Sequence, residues 1–376
     1  MTSNISFSVT KSWNGGFTGE IIVKNNSLSD WNNWLLELAP NFEIVSIWNG
    51  EIADFSNNIY SLSSASWNST ISAGNSITIG FKAKGNLNDN NTLDSINYTF
   101  NAIDSNFNQI SLTNIEISLV TDPNPVTTDE PISLLWSDDF SDLNWQNNWQ
   151  LLNKGQWGEE NLEVINPPLN DDLFDTYLRT YYPAGSVTPS YSKKTGEPIG
   201  GAQFFGDLGI PSSDTLKLSY YLRFSDNFDF VKGGKLPGLY GGTGNTGGNI
   251  PDGTDGFSTR FMWRTNGDAE VYAYLPTSTN YGTSLGRGDW QFVPGVWHHL
   301  EQEVYLNDVG QNNGAIEVSL DGVQVANFSG LNFRSVDSLN IDGVLFSTFF
   351  GGSDSSWATP NNTYVDFANF NVSIPV

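Results

Sequence analysis

Residues 256–275 read GFSTRFMWRTNGDAEVYAYL, two strand-like runs joined by a Thr-Asn-Gly turn. Side chains alternate along a strand, so Phe257, Thr259, Phe261 and Trp263 share one face. Ser258, Arg260, Met262 and Arg264 share the other. In the second run Val271, Ala273 and Leu275 oppose Glu270, Tyr272 and Tyr274. Whether the two polar faces coincide depends on register. A two-residue turn at Asn266-Gly267 sets Arg260 against Ala273 and separates the faces. A three-residue loop, with Gly267 in the left-handed position, pairs Arg264 with Asp268, Arg260 with Tyr272 and Ser258 with Tyr274. Both loops are common, and alternation alone does not choose between them. The second accounts for glycine at 267 and sets opposite charges side by side, so it is the register expected.

Lys235 lies just upstream, in a Gly-rich segment read as a loop. The chain of 376 residues carries 16 Lys and Arg against 41 Asp and Glu, a net charge of −25. Five of those cations (Arg223, Lys232, Lys235, Arg260 and Arg264) fall between residues 223 and 264. Cations gathered beside paired tyrosines in an acidic chain point to a site for an anionic substrate. The net charge argues against nucleic acid and anionic membrane surfaces as partners. With no cysteine, disulfides, thiol chemistry and Cys-based metal sites are excluded. The opening residues MTSNISFSVT lack a basic stretch followed by an apolar core, so no signal peptide of the usual type is visible. No run is long enough to span a membrane. The polar, Asn-rich, acidic composition predicts an extracellular protein, and a monomer is expected.

Short alternating runs throughout, without long helical periodicity, predict an all-β protein of two domains. In residues 1–120 the alternating apolar positions include Phe7, Val9, Ile21, Val23, Leu36, Leu38, Ile77 and Ile79. Residues 121–133 hold TDPNPVTTDEP, a Pro-rich acidic linker. Residues 134–376 are richer in Gly and Tyr, with alternation at Leu216, Leu218, Tyr220 and Leu222.

Three Trp-Asn dipeptides, at Trp13, Trp48 and Trp67, sit among Ser, Asn and Gly instead of inside apolar runs. Exposed indoles in a row can stack on sugar rings; Trp31 and Trp34 read as ordinary core residues. SWNGGFTGEIIVKN at 12–25 and SWNSTISAGNSITIGF at 66–81 resemble a family 2 carbohydrate-binding module over about residues 4–120. The resemblance implies a β-sandwich whose flat face, here Trp13, Trp48 and Trp67, adsorbs to cellulose or chitin. Many members close a disulfide near the domain ends, and none is possible here.

Several chemistries compete for the second domain. A nucleophilic triad needs a histidine, and His298 and His299 sit in a strand entry, VWHHLEQEV. Glycoside hydrolysis needs two carboxylates, for which Glu301 and Glu303 alternate but read as solvated. The Gly-rich stretch from Gly233 to Gly256 lacks the ending of a phosphate-binding loop. Asp252 and Asp255 offer oxygens to Ca²⁺, yet turn chemistry accounts for them equally. No cofactor or metal is expected.

Lys, Arg and Tyr together suit β-elimination from a uronic-acid polymer. A cation on the carboxylate stabilises the carbanion developing at C5. A base takes the C5 proton and an acid protonates the departing oxygen. Tyrosine serves in either role if nearby cations lower its pKa from about 10. FDFVKGGKLPGLYGG at 228–242, GFSTRFMWR at 256–264, EVYAYLP at 270–276 and FSTFFGGSDSSWA at 346–358 resemble polysaccharide lyase family 14, which includes alginate and glucuronan lyases. The similarity runs over roughly 135–376 and implies a β-jelly roll with a concave cleft. Its functional residues fall on Lys235, Ser258, Arg260, Tyr272 and Tyr274. On that basis Arg260 and Lys235 neutralise the carboxylate, Tyr272 or Tyr274 acts as base and acid, and Ser258 positions the substrate or hydrogen-bonds a tyrosine. Phe349, Phe350 and Trp357 are candidates for sugar subsites. A non-catalytic acidic-glycan-binding protein is the alternative, with a glycoside hydrolase third.

Overall fold

A computed structural model describes residues 5–13, 16–65, 68–85, 97–105, 107–114, 133–142, 144–168 and 173–375. The chain divides into two compact units, the first built mainly on residues 1–131 and the second on most of the remainder. Most of the expected linker lies outside the described residues.

The first unit contains two antiparallel sheets. One orders the strands Ile5–Trp13, Gly16–Lys24, Ser76–Lys84 and Glu43–Trp48. The other centres on Trp31–Ala39, flanked by Asn97–Asp104 and Ile59–Ser63. Alternate residues of both sheets meet in one core, where Ile21, Val23, Leu36, Leu38, Ile77 and Ile79 are buried as their spacing predicts. Trp31 and Trp34 belong to that core.

The second unit is also two sheets around one aromatic-rich core. An eight-stranded sheet includes Thr215–Phe224, His298–Tyr305 and the closing strand Thr363–Ile374. Leu216, Leu218, Tyr220 and Leu222 point from it into the core, completely buried. A six-stranded sheet runs in the order Ala202–Gly206, Gly343–Phe350, Gly233–Gly242, Gly256–Arg264, Ala269–Tyr274, Thr283–Leu285.

Two buried polar contacts tie these sheets together. Gln302 donates to the Thr259 carbonyl at 2.7 Å and accepts from the Thr259 hydroxyl at 2.7 Å. The register shift between Leu236 and Gly238 frees the Pro237 carbonyl from the ladder. Tyr220 donates to that carbonyl at 3.0 Å from the opposite sheet. A buried carbonyl left alone costs about 1–3 kcal/mol, so the bulge is stable because this phenol answers it.

Residues 233–242, expected to be a loop, form a central strand instead. Glycine is required there because large rings press against the backbone. A Cβ on Gly234 would sit 2.0 Å from the Trp263 ring, and one on Gly241 would sit 2.5 Å from Phe257. Composition read as flexibility was close packing.

Candidate functional site

The hairpin register decides which side chains meet. Arg264 N–H donates to the Asp268 carbonyl at 2.6 Å across Thr265–Gly267, with Asn266 and Gly267 both at positive φ. Arg260 therefore pairs with Tyr272 and Ser258 with Tyr274, the three-residue alternative. On the neighbouring strand Lys235 pairs with Met262, Gly238 with Arg260 and Tyr240 with Ser258. All five expected residues of the second unit lie on one face of the six-stranded sheet. The opposite face, with Phe257, Phe261, Trp263, Val271 and Ala273, is core.

Arg260 is 2% exposed. Its guanidinium crosses the intervening strand, where residue 238 has no side chain, and donates to Ser347 Oγ at 3.0 Å. Ser347 in turn donates to Gln203. Arg260 Nε has no partner, and no carboxylate among the described residues pairs with this cation. Burial lowers its pKa to about 10. Lys235 Nζ lies 2.8 Å from Met262 Sδ and 4.0 Å from the centre of the Tyr272 ring. Burial first, then Arg260 and Arg264, hold it well below the ordinary lysine value.

The other clustered cations are already matched. Arg223 and Arg179 both bind the buried Asp366 on the eight-stranded sheet. Lys232 donates to Ser356 Oγ. Arg264 and Arg287 clasp Glu270, completely buried, at 2.5 and 2.6 Å. Lys235 and Arg260, on this face, pair with no carboxylate among the described residues.

The tyrosine rings meet edge to face at 5.8 Å, against Gly282, where a Cβ would lie 2.8 Å from each. Tyr274 is nearly buried, and its hydroxyl accepts the Gly248 N–H at 3.0 Å. Ser258 donates to the Asn245 carbonyl at 2.7 Å. Tyr272 is half-buried, and its pKa is pushed up to about 12, chiefly by burial and then by Tyr274. This corrects the expectation of a phenol acidified by its neighbours: Arg264 and Arg260 do lower it, but desolvation wins.

Other expectations resolve residue by residue. His298 is buried, accepting the Val293 N–H, and His299 stacks on Tyr221, both in the eight-stranded sheet. Glu301 and Glu303 pair with Lys217. Asp252 accepts from Thr254, and Asp255 from Asn245, within the turn. Phe350 is core, while Phe349 pairs with Lys235 on the site face and meets Trp157 edge to face. In the first unit the side chains of Trp13 and Trp67 lie outside the described residues. Trp48 packs onto Gly80 and is only 9% exposed, so it differs from the open indole expected there.

Sequence reasoning missed Ser347, Gln203, Asn245 and Glu270. Glu270 was legible as a partner for Arg264, since both lie on the polar face near the turn. Glu270→Gln leaves Arg264 facing an uncharged amide, and a loss of about 2–4 kcal/mol in urea unfolding is expected. An unchanged midpoint would show that the clasp contributes nothing.

Residues 170–370 match the family model for polysaccharide lyase 14. The chain belongs to polysaccharide lyase family 14. An alginate lyase of this family from Aplysia kurodai superposes with a TM-score of 0.56 at 33% identity, over 65% of this chain and 100% of that one. Exolysin of Paramecium bursaria Chlorella virus 1 is 25% identical over 220 residues, covering 50% of this chain and 34% of the viral protein. Residues 3–101 match the cellulose binding domain model. Endo-1,4-beta-xylanase A of Cellvibrio japonicus is 36% identical over 87 residues, 23% of this chain. The chain spans only 14% of that xylanase's length. Among the described residues, no helix is long and apolar enough to cross a membrane.

Proposed function

We propose that the second unit cleaves a 1,4-linked uronic-acid polymer, alginate or glucuronan, by β-elimination. The first unit holds it at a cellulose- or chitin-containing surface outside the cell, and the protein acts as a monomer. One observation carries the reading: Arg260 is a buried cation without a carboxylate partner, with the depressed amine of Lys235 and two phenols beside it. A buried unmatched cation is costly, and a substrate carboxylate supplies the missing charge.

Arg260 neutralises the uronate carboxylate, so negative charge developing at C5 delocalises onto it. Lys235, depressed toward the neutral amine, takes the C5 proton. That C–H pair becomes the C4=C5 bond, and the C4–O bond breaks toward the leaving sugar. Tyr272, which keeps its proton to about pH 12, gives that proton to the departing oxygen. Lys235 lies against the Tyr272 ring, a position suited to returning the proton after each cycle. Ser258 and Tyr274, anchored to the 245–248 segment, position the sugar.

Tyr272→Phe is expected to lower kcat on a panel of uronans about 10²–10⁴-fold, read as absorbance of the new double bond. Tyr274→Phe is expected to cost less, since that phenol positions. Near-normal rates in both variants would sink the scheme. Saturated reducing ends from the unmodified protein would point to hydrolysis, and binding without cleavage to a lectin.

A further inference from the structure

The site face carries one more cation that this scheme does not use. Lys154 Nζ lies 4.6 Å from the centre of the Phe205 ring and 5.1 Å from that of Tyr240. It also donates to the Gly242 carbonyl at 3.2 Å. Phe205, Tyr240 and Leu345 form a small cluster separate from the main core. Its members sit on the site face by register: Tyr240 pairs with Ser258, and Leu345 pairs with Gly238, the partner of Arg260. Lys154 is held at Gly242, four residues along the strand from Gly238, the partner of Arg260, which is about 13 Å of strand.

Among the described residues Lys154 makes no ion pair. Burial lowers its pKa although Asp342 and Asp207 act the other way. Tyr240 is 1% exposed, and its hydroxyl has no hydrogen-bond partner. Gly244 lets the backbone close over both rings, since a Cβ there would lie 2.5 Å from Phe205 and 3.3 Å from Tyr240. A half-buried ammonium and an orphaned phenol thus lie on the site face, apart from the main core.

We propose that Lys154 and Tyr240 form a second anion subsite, receiving the carboxylate of the sugar next to the one held by Arg260. The inference deepens the reading above and rests on it for the polymer. A uronan presents one carboxylate per sugar, and a chain of net charge −25 repels each one it does not match locally. Arg260 at the reacting ring leaves the neighbouring carboxylate uncompensated. Lys154 answers that neighbour, where its ammonium has donors to spare beyond the Gly242 carbonyl.

The test uses the full chain with alginate and β-1,4-glucuronan tetrasaccharides, followed by calorimetry and by turnover. Lys154→Met keeps the stem on the two rings and removes the charge. Kd and KM are expected to rise about 5–10-fold, with kcat within about twofold and a shallower dependence of KM on salt. Lys154→Arg should restore all three. Tyr240→Phe removes only a hydroxyl and should weaken binding about 2–5-fold, independently of how the lysine packs. Cellotetraose, which is uncharged, should bind the Lys154→Met and unmodified proteins alike. Unchanged Kd and salt dependence in Lys154→Met would overturn the subsite. So would equal losses in the Met and Arg variants, which would mark a packing role. If the unmodified protein makes no unsaturated ends while Lys154→Met still weakens tetrasaccharide binding, the elimination reading fails and the subsite stands.

Discussion

Lys235→Met is expected to lose about 10²–10⁴ in kcat while gaining stability. In the folded state burial and three guanidinium groups disfavour the ammonium, whereas the unfolded chain leaves it at its ordinary value. Between the two pKa values the unfolded chain binds more protons, so stability of the unmodified protein rises with pH there. The penalty is fully present below the folded pKa and gone above the unfolded one, about 10.4. The gain in Tm from methionine should follow that pattern, at about 2–4 °C per kcal/mol for a domain of this size. Activity supplies the second sign. As a base Lys235 works only when neutral, so kcat/KM should climb as pH rises through its depressed pKa. It should fall only as Tyr272 loses its proton near pH 12. Lys235→Arg should be as inactive as the methionine variant. A rate that drops through the same pH range, with Arg largely active, would make Lys235 a fixed cation and hand the base role to a phenol.

Arg260→Ala should lower kcat/KM about 10²–10³-fold, the scale for losing one preorganised donor to developing charge. The guanidinium is placed by contacts that do not neutralise it, namely one hydroxyl of Ser347 and passage over Gly238. Arg260→Lys keeps a charge but not the planar fork that spans the strand, so it should rescue little. Product assays on polymannuronate, polyguluronate and glucuronan would read both variants. Equal activity of Arg260→Ala and the unmodified protein would show that the uronate carboxylate is bound elsewhere.

What the sequence disclosed was set by periodicity. Alternation placed Arg260 and the tyrosines, and the Thr-Asn-Gly tip chose the register, because both facts depend on counting along a strand. The core positions of both units were legible for the same reason. Residues 233–242 were misread because glycine content resembles a loop until the rings of Trp263 and Phe257 are in place. The five clustered cations were not equivalent, and partners distant in sequence decided it: Asp366 for Arg223, and Arg287 beside Arg264 on Glu270. The direction of the Tyr272 shift was hidden for a related reason. Desolvation is a property of the whole fold, while nearby cations can be seen in the string. The covered Trp48 shows the same limit, since polar neighbours in sequence did not predict Gly80 beneath the indole.

The tip at Thr265–Gly267 holds none of the five site residues, and two of its three residues are exposed. Its length nonetheless governs everything upstream and downstream of it. Removing a single codon there would rotate the second strand by half a pleat, sending both phenols toward the hydrophobic interior and Val271 and Ala273 outward. Substitutions at 265 should be tolerated and length changes should not, so natural or engineered indels ought to accumulate at other surface turns and spare this one.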